Sequence, residues 1–231
     1  MTWPDLTVLI VTYRREQEIR QTLLALREHL HYAGRLLWHI ADDGSPPGYL
    51  TSLEKEFSFI NSVSITNRRG WGVNVNTALR QTKTDYAYLN EDDYVPMTGI
   101  DLTQGVRLMQ LHPEVGLVRY DGISGHIGQS LRLCEALPHG QLDYLVIEPE
   151  LTQGHFTYSH RPHLKHKRFH EYYGLYAEGL PLADTEVEFG KRVMRMADGP
   201  QIAILDNGIR RAFEHIGKSR QGTQEDVHGG H

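Results

Sequence analysis

The chain of 231 residues lacks the features of secreted and membrane-spanning proteins. It has one cysteine, Cys134, which excludes an internal disulfide framework and is consistent with a reducing compartment. No apolar run approaches the roughly 20 residues of a membrane-spanning helix. The chain also does not open on a charged and then apolar leader. We therefore expect a cytoplasmic protein without a transmembrane segment.

Basic residues are scarce relative to acidic ones. The chain has 24 Lys and Arg against 29 Asp and Glu, a formal net charge of −5. Because nucleic-acid binding requires a basic face, we expect no nucleic-acid partner. Hydrophobic residues make up 39% of the chain and charged ones 23%, which is typical of a globular protein with a sizeable core. No repeat or linker marks a second domain, and the oligomeric state is left open.

Strand and helix patterns alternate through the first 96 residues. Apolar runs rich in β-branched residues predict buried strands, and apolar residues at helical spacing predict the helices between them. This order is typical of parallel βαβ units with right-handed crossovers. The predicted strands are Leu6–Thr12, Leu36–Ala41, Ser62–Thr66 and Tyr86–Leu89, and the helices are 16–31, 49–57 and one that ends at Leu79.

The second half is less regular. Its predicted elements are helices 102–111 and 184–197 and strands 115–119, 142–147, 155–159 and 201–205. The segment 160–178 is rich in His, Arg and Tyr and shows no clear periodicity, which predicts a loop over a site. The last ten or so residues are polar and predict a flexible tail, 221–231.

Three consecutive acids, Glu91, Asp92 and Asp93, follow the fourth predicted strand. Adjacent carboxylates disfavour one another's ionisation unless a cation neutralises them, and oxygen clusters suit Mg²⁺ or Mn²⁺. Ligands of parallel sheets bind at the carboxyl ends of the strands. That edge should also gather residues 13–15 and 42–45, which directly follow two other strands. The pattern therefore favours a ligand site over the alternative, a solvated acidic turn.

Four segments, taken together and in order, resemble the inverting family 2 glycosyltransferases of the GT-A type. They are Thr12-Tyr13-Arg14-Arg15, Asp42-Asp43-Gly44-Ser45, Asn67 to Leu79, and Tyr88-Leu89-Asn90-Glu91-Asp92-Asp93. The likeness extends from Val8 to about Arg220. It implies a Rossmann-like α/β domain over 1–220, with a central, mostly parallel sheet flanked by helices. Residues 1–96 would be the nucleotide-binding half and 97–220 the acceptor and catalytic half.

The resemblance implies roles for donor-binding residues. The nucleotide base would lie against Thr12, Tyr13 and Asp43, since an aromatic face can stack on a base and a carboxylate can accept its imide N–H. Glu91 would lie near the ribose. The diphosphate would meet basic side chains, and the candidates are Arg15, Arg69, Lys218 and Arg220.

A divalent cation, Mn²⁺ or Mg²⁺, is implied by the family's Asp-x-Asp motif. That motif falls on Asn90-Glu91-Asp92, so Asn90 replaces its first carboxylate. The resemblance makes Asp92 and His215 the metal ligands, or Asp93 in place of Asp92 if the register shifts by one residue. Such a cation would stabilise the departing nucleoside diphosphate.

The family also has an acidic pair ahead of a helix that ends in Arg, and Thr185 to Arg192 matches it. The match implies that Glu186 is the catalytic base, where the usual residue is Asp. Asp184 and Glu188 are the competitors, although Asp184 would cap an ordinary helix start and Glu188 would be solvated.

The acceptor pocket of the family falls on the His- and Tyr-rich stretch. The resemblance therefore implies acceptor contacts by His160, His163, Tyr173 and Asp184. A zinc site is the other interpretation of so many histidines, but the absence of a partner Cys and the irregular spacing oppose it.

These observations predict metal-dependent, inverting transfer of a sugar, most simply from a UDP-sugar, to a hydroxyl of a glycan or another acceptor. A nucleotidyltransferase would need a glycine-rich loop after the first strand, and residues 13–17 contain no Gly. A catalytically inactive binding module is the remaining alternative. Asn90 favours it, whereas Asp92, Glu186 and His215 oppose it.

Overall fold

The computed structural model describes residues 2–120, 131–137, 142–148, 158–196, 198–205 and 212–217. Strands and helices alternate through its first half. The strands are β1 (Leu6–Thr12), β2 (Leu30–His31), β3 (Leu36–Asp42), β4 (Ile60–Ile65), β5 (Tyr86–Glu91), β6 (Tyr94–Pro96), β7 (Ile100–Asp101), β8 (Val115–Arg119), β9 (Leu131–Leu137), β10 (Leu142–Ile147), β11 (His163–His166), β12 (Gln201–Ile204) and β13 (Phe213–His215). The helices are α1 (Glu16–His29), α2 (Tyr49–Glu56), α3 (Trp71–Gln81), α4 (Leu102–Leu111), α5 (Arg168–Tyr173) and α6 (Leu182–Arg195).

One sheet dominates the described part of the chain, with nine strands in the order β4-β3-β1-β5-β11-β8-β12-β10-β9. The first four are mutually parallel. β11 is antiparallel to both β5 and β8, β12 is parallel to β8, and β10 is antiparallel to β12 and β9. Within this sheet only β11 and β10 therefore point the other way, which confirms the predicted mostly parallel α/β sheet.

The core lies on both faces of this sheet. All seven residues of β1 are buried, and their side chains alternate between the faces. Leu6, Val8 and Ile10 pack in one cluster with side chains of α1, α2 and α4. Leu9 and Val11 pack in the other with side chains of α3, α5 and α6. The continuous apolar sequence of β1 is thus explained by its central position between two helical layers.

Backbone hydrogen bonds lock together the carboxyl ends of the first strands. The Asp43 N–H donates to the Thr12 carbonyl at 3.1 Å, and the Asp92 N–H donates to the Val11 carbonyl at 3.0 Å. On the other side, the Thr66 N–H donates to the Asp42 carbonyl at 3.1 Å. These bonds extend the sheet by one residue and place the first residues of three loops side by side.

Most predicted elements are confirmed to within a few residues, and α4, β8 and β10 have the predicted bounds. The prediction of a loop over 160–178 is wrong, because that segment contains β11 and α5. The predicted strand 155–159 lies largely outside the described residues, and Tyr158 and Ser159 are not in a strand. The predicted tail 221–231 also lies outside them.

Two small ribbons complete the described structure. β2 pairs in parallel with β7, and β13 pairs antiparallel with β6. The second ribbon brings the C-terminal residues 213–215 back to the end of β5, next to the acidic run. Of the helices in the described ranges, none combines the length and the apolar character needed to cross a membrane.

Candidate active site

Asp92 is bound to the end of β1. Its Oδ2 accepts hydrogen bonds from the Thr12 hydroxyl at 2.8 Å and from the Tyr13 N–H at 3.3 Å. The Thr12 hydroxyl is also 2.6 Å from the Tyr49 hydroxyl of α2. Burial raises the pKa of Asp92 to about 6, and the Arg15 charge and these hydrogen bonds oppose the rise. Asp92 thus links the acidic run to the loop after β1.

Asp93 turns instead toward the ribbon of β6 and β13. Its Oδ2 lies 3.0 Å from Nε2 of His215 and forms an ion pair with the Arg15 guanidinium. Its carbonyl accepts the N–H of Ile216 at 2.9 Å. The side chain is 2% exposed, and Oδ1 has no hydrogen-bond partner among the described residues. Asp93 therefore has one oxygen without a partner and the other beside His215.

Gly217 closes this corner of the site. A Cβ at this position would collide with Oδ2 of Asp93 and with the guanidinium of Arg15. Only a residue without a side chain allows the chain to pass this close to the ion pair. The sequence does not reveal this constraint, because the contact partners lie about 120 and 200 residues earlier in the chain.

Asp42 and Asp43 have different partners. Asp42 caps its own turn by accepting the Ser45 N–H at 2.8 Å. Asp43 crosses to the next loop, where it accepts the Thr66 hydroxyl at 2.7 Å and the N–H groups of Arg69 and Gly70, both at 2.9 Å. Asp43 thereby shapes the glycine-bearing loop ahead of α3.

The loops around this edge hold backbone conformations that side chains rarely adopt. Arg14, Asn67 and Arg68 all have positive φ, at 56°, 53° and 61°. Such residues cost free energy and cluster at functional sites. A cavity of about 380 Å³ lies beside them, and its lining includes Asp42 and Asn67. The predicted nucleotide side of the sheet edge is therefore both concave and conformationally constrained.

Glu91 lies where several carboxylates converge. Burial raises its pKa to about 8, the charges of Asp92 and Glu186 add to the rise, and the indole N–H of Trp71 opposes it. Its Oε1 is inaccessible to solvent. Because the charges of Asp92 and Glu186 both raise the pKa of Glu91, the acids at the end of β5 and the acid on α6 lie close together.

Glu186 lies in the second turn of α6 and is partly buried. Its Oε1 accepts the backbone N–H of His160 at 2.8 Å, which fixes the carboxylate. The expected roles of its competitors are not confirmed in full: Asp184 does not cap α6, whose N-cap is Pro181 with no side-chain hydrogen bond, and Glu188 is only partly exposed. Asp184 is exposed, and Glu188 forms an ion pair with Arg192 one turn later.

His160 stacks on Trp71, with ring centroids 3.8 Å apart and planes at 22°. Its side chain is 4% exposed, and neither ring nitrogen has a hydrogen-bond partner among the described residues. Burial lowers the pKa of His160 to about 3, so the ring is neutral. Tyr176 contacts the edges of both rings. Trp71, at the start of α3, was not among the predicted site residues, although it directly follows the glycine of the loop.

The structure does not bring the other two aromatic candidates to this surface. His163 is fully buried in β11, with Nδ1 2.7 Å from the Arg161 carbonyl. Tyr173 is 4% exposed, and its hydroxyl donates to the Pro200 carbonyl at 3.1 Å. Both pack in the core beneath the site. Lys218 and Arg220 lie outside the described residues.

The described residues contain no group of three or more His, Cys, Asp or Glu side chains that could enclose a metal ion. They do contain the neighbouring pair Asp93 and His215, with an unpaired buried carboxylate oxygen. That pair fits a hard cation that takes its remaining ligands from a diphosphate and water.

Comparison of the sequence with models of protein families gives a match. A sequence model described as "Glycosyl transferase family 2" matches residues 7–164. A search of curated protein sequences gave no match.

Solved structures show the same fold. S. aureus TarS 1-349 in complex with UDP-GlcNAc matches with a TM-score of 0.63 at 17% identity, over 95% of this chain and 61% of that one. The mannosyltransferase PcManGT from Pyrobaculum calidifontis, in complex with GDP-Man and Mn²⁺, matches with a TM-score of 0.55 at 15% identity, over 95% and 61% of the two chains. The chain thus spans less than two thirds of these structures, and the matches confirm the GT-A fold.

Proposed function

Because this chain belongs to glycosyl transferase family 2 and is an enzyme of the glycosyltransferase class, we propose that it transfers a sugar from a UDP-linked donor to an acceptor hydroxyl, with inversion and with help from a divalent cation. The observation that carries this proposal is the convergence of β5, α6 and the β6–β13 ribbon. Together they bring Glu91, Asp92, Asp93, Glu186 and His215 to the carboxyl edge of the sheet.

The donor's diphosphate would lie against Asp93 and His215. A bound Mn²⁺ or Mg²⁺ would neutralise the charge that the departing nucleoside diphosphate acquires. Asp93 is the better candidate than Asp92, because it lies 3.0 Å from Nε2 of His215 and its Oδ1 has no hydrogen-bond partner among the described residues. Arg15 now neutralises Asp93, and its guanidinium is free to turn to the diphosphate once a cation takes over that role.

The nucleotide base would lie beyond the diphosphate, along the loops after β1 and β3. Tyr13 offers an aromatic face, and Thr12 holds the loop to Asp92. Asp43 accepts the backbone N–H of Arg69 and so fixes the loop from which this second basic side chain would meet the diphosphate.

Glu186 would act as the base. It would take the proton of the acceptor hydroxyl while that oxygen forms a bond to the anomeric carbon of the sugar. The bond from that carbon to the diphosphate breaks at the same time, and its electron pair leaves with the nucleoside diphosphate. The hydrogen bond from the His160 N–H holds Glu186 without consuming its second oxygen.

The sugars would contact the Trp71–His160 stack beside Glu186. The two unpartnered nitrogens of the neutral His160 ring, one donor and one acceptor, are buried, so sugar hydroxyls would pair with them only when the stack opens. Asp184, exposed at the start of α6, would lie at the acceptor entrance.

Asn90 does not weaken this proposal. It is fully buried, and its Nδ2 donates to the carbonyls of Glu91 at 2.6 Å and Tyr94 at 2.9 Å. A carboxylate in its place would face those two carbonyls and repel them. Asn90 therefore builds the turn that presents the acids, and its presence need not signal an inactive binding module.

The test is calorimetric titration of UDP with and without Mn²⁺, followed by donor hydrolysis with UDP-, GDP- and dTDP-sugars. We expect UDP binding to strengthen with Mn²⁺ and this dependence to be lost in Asp93→Asn and His215→Ala. Asp92→Ala should also weaken Mn²⁺-dependent UDP binding, but indirectly, because it releases the loop after β1. UDP binding that ignores the cation in the unmodified protein would contradict the proposal.

A further inference from the structure

A second cavity, of about 370 Å³, lies at the opposite end of the sheet from the acids. It opens where α3 ends and β5 begins, and it continues between β11 and α5. Its lining includes Arg80, Lys83, Lys165 and Lys167, against the acids Asp85 and Glu171. Sugar transfer at the carboxyl edge makes no use of this cavity.

Lys165 is the unusual residue of this cavity. It projects from β11 and is 2% exposed, yet no carboxylate among the described residues forms an ion pair with it. Its Nζ lies 2.9 Å from Nε2 of His170 and 3.2 Å from the Tyr176 hydroxyl. Because Nδ1 of His170 lies 2.9 Å from the Gly174 carbonyl and donates to it, Nε2 is the acceptor. An ammonium group has three donors, so one remains for a ligand.

A buried ammonium without a counter-charge is costly. Burial accordingly lowers the pKa of Lys165 to about 7. An anion in the adjoining cavity would offset that cost. The structure therefore contains a buried ammonium group that no carboxylate of the described residues neutralises.

A second basic side chain, Lys83, lies at the mouth of the cavity and is available to bind an anion. Lys167 forms an ion pair with Asp85 at 2.7 Å, and Arg80 forms one with Glu178 at 3.4 Å. Lys83 lines the same cavity and has no ion pair within the described ranges. The acids at the mouth are thus partly neutralised, whereas Lys83 and Lys165 are not.

We propose that this cavity is a binding site for a phosphomonoester, whose phosphate is held by Lys165 and Lys83. The volume exceeds that of phosphate alone, so a small organic group fits beside it against Leu79, Ala87 and Leu175. The proposal is independent of the sugar-transfer function, since it concerns the other end of the sheet.

The test uses inorganic phosphate as the probe, on the whole chain, with NaCl at matched ionic strength as the reference. Phosphate should raise the melting temperature saturably. Lys165→Met and Lys83→Ala should each weaken phosphate binding about tenfold or more, since each loses a charged hydrogen bond. Lys55→Ala on α2 and Arg15→Ala at the donor site should leave it unchanged.

Three results would overturn the proposal. One is a phosphate effect no larger than that of NaCl, and another is equal phosphate affinity in the wild type and in Lys83→Ala. The third is loss of binding in Arg15→Ala with retention in Lys165→Met, which would place the anion in the donor cleft. If Lys165→Met does not fold, the Lys83→Ala result decides alone, because Lys83 is exposed and lies outside the core.

Discussion

Asp92 and Asp93 are adjacent in sequence and serve different parts of the site. Both lie in the turn between β5 and β6, where Asp92 meets β1 and Asp93 meets β13. The sequence predicted an acidic site and its histidine. It could not decide which acid accompanies His215, because that depends on the pairing of a three-residue strand with residues about 120 positions earlier.

Glu186→Gln is the most direct test at the scale of single residues. We expect UDP binding to be retained and transfer to fall by about 10²- to 10⁴-fold, because the amide cannot accept the acceptor's proton. Single-turnover transfer assays would measure the fall. Glu188→Gln, in the same helix, is the matched control and should transfer normally. If Asp184→Asn abolished transfer and Glu186→Gln did not, the base would be Asp184.

Gly217→Ala tests the closeness of the chain to the ion pair. Its methyl group must displace Asp93 or Arg15, so we expect weaker Mn²⁺ affinity with little loss of overall stability. Calorimetric Mn²⁺ titration and a thermal melt would separate the two effects. Glu214→Ala, at an exposed position on the preceding strand β13, is the control. Unchanged Mn²⁺ affinity in Gly217→Ala would argue that the cation lies elsewhere.

At the scale of elements, the segment 160–178 shows where sequence patterns were insufficient. β11 has only four residues and alternates His, Leu, Lys and His, so its burial is not visible in its composition. It becomes a strand because β5 and β8 flank it on both sides. Tertiary pairing, rather than local preference, thus determines this element.

Asn76 joins α3 to the segment that precedes α6. Its side chain exchanges hydrogen bonds with the Tyr176 backbone, donating to the carbonyl at 2.9 Å and accepting the N–H at 3.1 Å. Asn76→Ala leaves both backbone groups without these partners, so we expect a loss of about 2 kcal/mol in the free energy of unfolding. Urea denaturation would measure it. Thr77→Ala on the same helix should cost clearly less, and equal losses would contradict this role.

At the scale of the whole molecule, the parallel arrangement of the first four strands was predictable because long apolar runs alternated with helical periods. The order of the second half was not, because β11 and β12 have only four residues each and β11 is inserted between β5 and β8. The sequence also predicted that the loops after these strands would meet at the carboxyl edge, and backbone hydrogen bonds do hold their first residues side by side. No sequence pattern indicated the cavity at the opposite edge, because a lysine in a short strand is usually expected to be exposed.

Lys165 should make global stability depend on pH. Its pKa is lowered to about 7 in the folded protein from 10.5, so between these values the unfolded chain binds more protons and stability rises with pH. Lys165→Met removes this contribution. We therefore expect the variant to gain stability relative to wild type at pH 7 and the gap to shrink toward pH 9.5. Thermal melts of both proteins in the same buffers would test this, and a gap that is constant with pH would contradict it.

The stack of Trp71 on His160 gives the protein a built-in optical reporter. The other two tryptophans are distant from the acids: Trp3 packs against Tyr32, and Trp38 packs against Phe59. Any molecule that enters beside Glu186 must disturb the surroundings of one indole and leave the other two alone. Intrinsic emission, with Trp71→Phe as the blank, can therefore follow occupancy without a label and before the sugar is known.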